Sequence, residues 1–246
     1  MQKTHILYKI DEYIFFLLIN SKRINIIIIM VQFSKEQESE LNLWCLQGKI
    51  KDTILKQTKE HNEIEKEWGN QMIGQKNNGQ WTTNLGEHYI YQILKELGKN
   101  PRRPEIKEHY RPDIETDDAI YEIKTRNYTT PGTAGEKVYG VPYKYAEVPN
   151  LYNKPLKIVC VGYQERELTT GHTPIFGNVR NVHEKMLEFY KNELNIEFVR
   201  ASDLIKEVSE QRLQHSEDFN VNSKQNVLKN SVELIGEPFQ IQINKK

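Results

Sequence analysis

The run Pro155-Leu156-Lys157-Ile158-Val159-Cys160-Val161-Gly162-Tyr163 restricts this chain more than any other stretch. It is nearly continuous in apolar character, and strand side chains alternate between faces, so both faces must be buried. Such a run reads as the central strand of a sheet covered on both sides. The expected fold is therefore α/β, a central mixed β-sheet flanked by helices, with additional helices toward the N-terminus. A length of 246 residues suits one domain, or one with a small appendage.

The stretch from Arg111 to Arg126 reads as two strands around a tight turn at Asp117-Asp118. Ile120, Glu122 and Lys124 share one strand face, and Ala119, Tyr121 and Ile123 face the opposite way, toward a core. A hairpin pairing brings Asp113 back beside Glu122. Two carboxylates and a lysine at one spot call for a cation, because like charges that close repel. Magnesium fits, since it takes oxygen ligands and keeps waters for a phosphate substrate. The plain alternative is a surface hairpin whose charges are solvated.

Pro112-Asp113, a gap of eight residues, then Glu122-Ile123-Lys124 resembles the PD-(D/E)XK signature of the restriction-endonuclease-like nuclease superfamily. The order of segments over about 84–163 resembles that superfamily's core: a helix, a hairpin with two acids, a crossover helix and a buried strand. The resemblance implies a Mg2+-dependent endonuclease that hydrolyses phosphodiester bonds of double-stranded DNA, most like a type II restriction enzyme. It implies a homodimer in the cytoplasm, a cognate DNA methyltransferase encoded separately, and no stable membrane association. Asp113 and Glu122 would hold the metal, with the main-chain carbonyl of Ile123 as a third ligand. Lys124 would position the attacking water. Glu87 stands where a helix acid of the superfamily approaches the metal, and Asn84 with Glu87 also matches a capping box. Two other readings compete: a structure-selective repair or recombination nuclease, and a non-catalytic DNA-binding or membrane-tethered protein.

Lys and Arg total 34, equal to Asp and Glu, so any nucleic-acid footprint has to be a local groove. Arg126, Lys137 and Lys144 are its candidate phosphate contacts. Tyr139, Tyr143 and Tyr145 interleave with those lysines, either packing on the sheet or touching DNA. A helix over about 135–147, kinked at Pro142 or broken in two there, would aim its N-terminus at an anion. Arg102, Arg103 and Lys107 alternate with Glu105 and Glu108, as on a solvated edge strand.

Elsewhere, Ser34 and Gln37 form a capping box for a helix carrying Leu41, Trp44 and Cys45. A helix is expected from about 50 to 68, with Ile54, His61 and Ile64 on one side, followed by loop composition over 69–82. Leu85, Tyr89, Ile93, Leu94 and Leu97 form a helical stripe that Gly98 ends. A helix over about 182–194 would turn Met186, Leu187 and Tyr190 inward. A strand over 196–199 and a helix from Ala201 to about 213 complete the domain. Cys45 and Cys160 lie in apolar runs and read as buried free thiols. His172 lies in a loop, with no serine or cysteine nucleophile motif beside it.

The hydrophobic extension over 1–29 is set apart from the single nuclease domain expected over 30–246. It is rich in Ile, Phe, Asn, Lys and Tyr, as translated AT-rich DNA would be. Asn20-Ser21-Lys22-Arg23 splits its apolar runs below membrane-spanning length. Met30 reads as the true start, with a docked or membrane-associated hydrophobic helix as the alternative. The last thirty or so residues, with a β-like stretch over 239–243, read as a tail, an edge strand or a dimer arm.

Overall fold

A computed structural model describes residues 32–130 and 135–214 in full, and the backbone of 5–10, 13–20, 23–26 and 133–134. The expectations for 131–132 and 215–246 lie outside the described residues.

Strands β1 (His5–Ile10), β2 (Tyr13–Asn20) and β3 (Arg23–Ile26) form an antiparallel sheet of their own. This corrects the hydrophobic-helix alternative for the N-terminal segment. Its Ile, Tyr and Phe favour extended backbone, and the polar break between runs falls where β2 returns as β3, with Asn20 opposite Arg23.

Helix α1 (Lys35–Gln47) begins at Ser34, whose hydroxyl accepts from the Gln37 amide while the Gln37 side chain accepts from the Ser34 amide. Gly48 ends it at φ 65°, a left-handed conformation suited to glycine. The helix expected over 50–68 starts later. β4 (Lys49–Ile50) and β5 (Thr53–Ile54) make a small hairpin instead, turning through Lys51 at φ 52°. Helix α2 (Lys59–Met72) then begins at Thr58, and Ile54 is left exposed. It absorbs Gly69 and Asn70, which by composition belong to a loop. Gly69 is needed there because a Cβ would meet the Trp81 ring at 2.1 Å. Helix α3 (Trp81–Glu96) buries Leu85, Tyr89, Ile93 and Leu94.

Strands β6 (Ile114–Glu115) and β7 (Ile120–Arg126) form the hairpin. A 3-10 helix (Thr133–Gly140), α4 (Val141–Lys144) and α5 (Val148–Tyr152) then lead to β8 (Leu156–Gly162). Helices α6 (Tyr163–Thr170) and α7 (Asn181–Leu194), strand β9 (Ile196–Arg200) and helix α8 (201–214) follow. Sequence patterning misses α6, which buries just Gln164 and Leu168. In α7, Leu187 and Tyr190 pack against the core, but Met186 is 48 % exposed, so the inward set is smaller than expected.

The main sheet has the order β6-β7-β8-β9, antiparallel between β6 and β7 and parallel elsewhere. It is a mixed sheet flanked by helices, with a core on each face. Tyr121, Ile123, Val159 and Val161 join the residues of α1, α2, α3 and α8. Ile120, Leu156, Ile158 and Cys160 join those of the 3-10 helix, α4, α5 and α6. Among the described residues no helix is long and apolar enough to cross a membrane.

Candidate active site

The β6–β7 ladder pairs Ile114 with Tyr121 and Glu115 with Ile120. One step outward, the same register sets Asp113 opposite Glu122. The turn is locked by the Thr116 amide donating to the Ala119 carbonyl at 2.9 Å, and by the Thr116 hydroxyl donating to Asp118 at 2.6 Å. Asp113 is held twice: its amide donates to the Tyr121 carbonyl at 3.1 Å, and its Oδ2 accepts from the Ile123 amide at 2.6 Å.

Glu122 is 3 % exposed. Its Oε1 accepts from Lys124 Nζ at 2.5 Å, while Oε2 is buried with no hydrogen bond of ordinary geometry among the described residues. A buried carboxylate oxygen without a donor is costly unless something else binds it. The Tyr145 phenol faces Glu122, and burial first, then that negative charge, push its proton affinity up. The sequence allows Tyr145 either core packing or DNA contact; the structure buries it with its phenol facing Glu122.

Glu87 arrives from α3. The residue before it, Gly86, lets the helix touch β7: a Cβ there would meet Thr125 Oγ1 at 1.7 Å. Since α3 starts at Trp81, Asn84 lies inside the helix and no capping box forms with Glu87. Burial, then Glu122, raise the Glu87 pKa, while Arg103 and Lys124 oppose the rise. Asp113 is pushed up to about 8 by burial, then by Glu122 and Glu87, against the Ile123 amide and Lys124. Three carboxylates therefore sense one another around a single lysine. Asp113 and Glu122 are the pair placed to share a cation. Among the described residues no three side chains of His, Cys, Asp or Glu close on one point.

No family model, curated protein or solved structure matches this chain.

The candidate phosphate contacts divide. Arg126, expected to face DNA, has a side chain 7 % exposed. It pairs with Glu167 of α6 at 2.5 Å, donates to the Thr130 carbonyl and lies over the Tyr163 ring. A guanidinium enclosed in this way is a structural tie, because α6 covers that end of β7. Lys137 and Lys144 are exposed, and Lys144 Nζ lies 4.9 Å from the centre of the Tyr145 ring. The helix expected over 135–147 breaks into a 3-10 helix and the short α4, with Pro142 in its first turn, so no long helix aims its N-terminus at an anion. Arg102 is engaged by Glu115 and Asp117 at 2.9 and 2.7 Å, as a solvated edge requires.

The loop after β7 is clamped to α2 by residues that no motif marks. Glu65, fully buried, accepts from the Trp44 indole, the Tyr128 and Thr129 amides and the Thr129 hydroxyl. Asn62 Oδ1 accepts from Thr129 and Thr130. In sequence Glu65 is one acid among several in a charged helix, so nothing distinguishes it. His61 Nδ1 contacts its capping residue Thr58 at 2.7 Å, and His172 is an exposed loop residue. Both cysteines are free and buried; burial pushes the Cys45 thiol up to about 12 and the Cys160 thiol higher still.

Proposed function

We propose that this chain is a magnesium-dependent endonuclease with a restriction-endonuclease-like core, cutting double-stranded DNA in the manner of a type II enzyme. The observation that carries the reading is the convergence at β7: Asp113 opposite Glu122, Lys124 bonded to Glu122, and Glu87 within electrostatic reach. The order of α3, the β6–β7 hairpin, a helical crossover and the parallel strand β8 supports the same core.

The donor set fits a hard divalent cation. It is made of carboxylate oxygens, one of them buried with no hydrogen bond of ordinary geometry among the described residues, and the neighbouring acids hold their protons more tightly than usual, through burial first and then through one another's charge. Asp113, Glu122 and the Ile123 carbonyl would hold Mg2+. When bound, the ion lowers the pKa of water and draws charge from the phosphate. Lys124 orients the attacking water and offsets negative charge that develops on the phosphate. Glu87, within electrostatic reach of Lys124, would either steady that lysine or bind a second metal. By the same reading the enzyme acts in the cytoplasm as a homodimer on a short site, with its cognate methyltransferase encoded separately.

Asp113→Asn and Lys124→Ala should each lower the cleavage rate on the order of a hundredfold or more, the scale for losing one electrostatic catalytic group. Binding to DNA in calcium should survive both changes. Cleavage of unmethylated plasmid or phage DNA, with magnesium against EDTA, is the direct assay. Discrete bands support a site-specific enzyme. A magnesium-dependent smear supports a structure-selective or nonspecific nuclease built on the same site. No cleavage leaves a binding protein.

A further inference from the structure

Ile120 and Glu122 lie two apart on β7, so they share one face of the sheet. On that face Ile120 packs in a single apolar cluster with Tyr110, Tyr145 and Val148. Tyr145 therefore covers the face that carries the Glu122 carboxylate, and its phenol reaches that carboxylate. Backbone and ring together fix its place. The Tyr145 amide donates to the Val141 carbonyl at 2.9 Å, and its carbonyl accepts from the Val148 amide at 3.0 Å. Its ring stands 5.9 Å from that of Tyr110, centre to centre. Tyr110 comes three residues before Asp113. The ring pair thus ties the crossover to the segment that delivers the second acid of the site.

A carboxylate offers about four lone-pair positions. On Glu122, Lys124 takes one of them at Oε1, while Oε2 is buried with no hydrogen bond of ordinary geometry among the described residues. An oxygen in that state bears its desolvation cost until a donor or a cation meets it. A phenol is a donor without charge. It can hold a carboxylate without offsetting the negative charge that attracts a cation, which a second ammonium at the same place could not do.

We infer that Tyr145 is a positioning residue for Glu122, its buried ring holding the phenol against the carboxylate so that the remaining lone pairs of Glu122 turn to the cation shared with Asp113. This deepens the nuclease reading and rests on its metal site. Hydrogen-bond partners of metal ligands typically contribute about 10- to 100-fold in metal affinity.

The test titrates the full chain with Mg2+ in a calorimeter at pH 8.5, without DNA. Tyr145→Phe keeps the ring and removes one oxygen; it should weaken Mg2+ binding about 10- to 100-fold. Its cleavage of plasmid should need correspondingly more Mg2+ and recover when Mg2+ is saturating. Val138→Ala trims the same apolar cluster; it should lower the melting temperature and leave the Mg2+ affinity unchanged. Unweakened Mg2+ binding in Tyr145→Phe, or equal weakening in Val138→Ala, overturns the positioning role. If the unaltered chain binds Mg2+ and cuts DNA in that case, the nuclease reading stands without it. An unaltered chain that binds no Mg2+ overturns both.

Discussion

Asp113 carries a charge that its surroundings disfavour, and that has a measurable consequence. An ordinary aspartate titrates near 3.9; in the fold this one is pushed up to about 8, with burial the largest cause. The folded chain therefore holds the Asp113 proton more tightly than the unfolded chain. The resulting penalty is absent below about pH 4, grows as pH rises, and is complete above about pH 8. Asp113→Asn removes it. In EDTA at pH 8.5 this variant should melt several degrees above the unaltered protein, and the gap should close by pH 4. Magnesium at pH 8.5 should raise the melting temperature of the unaltered protein and leave that of Asp113→Asn almost unmoved. A pH-independent gap would remove the electrostatic account. Asp113, Glu122 and Lys124 were readable in the sequence because strand alternation and a two-aspartate turn determine which side chains meet. The same alternation misplaces Arg126: it puts the side chain on the face of Glu122 and Lys124 but does not reveal that α6 roofs that end of the strand.

Between elements, the closest approach near the site is that of α3 to β7 at Gly86. Thr125 Oγ1 occupies the space a side chain would need, and is itself buried without a hydrogen bond among the described residues. Gly86→Ala should destabilise by about 1–3 kcal/mol through overpacking and tilt Glu87 away from Glu122. Adding Thr125→Ala should recover most of that loss, a non-additivity read from denaturant midpoints. Additive losses would mean that the helix accommodates a methyl by another route. Helices α1 and α3 were readable from the Ser34 cap, the apolar stripe and Gly98. The start of α2 was not, since Ile50 and Ile54 fit a helical period while belonging to a two-strand turn. The boundaries of α3 shifted because Trp81 is recruited into the core by Gly69, a contact between distant residues that no local pattern encodes.

The whole molecule balances its charges, and many of its cations near the site are already committed. Lys154 serves Glu115, Lys99 serves Asp118, and Arg126 serves Glu167. Exposed Arg103, Arg111, Lys137 and Lys144 remain as the local surface for a polyanion. On the proposed nuclease function, affinity for DNA should therefore fall with salt along a shallow slope, about −2 to −4 in log–log terms per chain, at about 0.9 per phosphate neutralised. A slope near −8 would require a cationic surface elsewhere. The sheet's layered plan follows from the buried run at Leu156–Gly162, whereas the separate N-terminal sheet is hidden because a short continuous apolar run such as that of β2 reads equally well as helix or strand. The site's most delicate bond sits at the seam of that plan. Just before β6 begins, the amide of Ile123 is bonded to the Asp113 side chain rather than to a neighbouring strand's main chain. Its proton resonance thus becomes an internal voltmeter for the site, registering in a nuclear magnetic resonance spectrum whatever changes the charge on Asp113, whether acid, cation or incoming substrate.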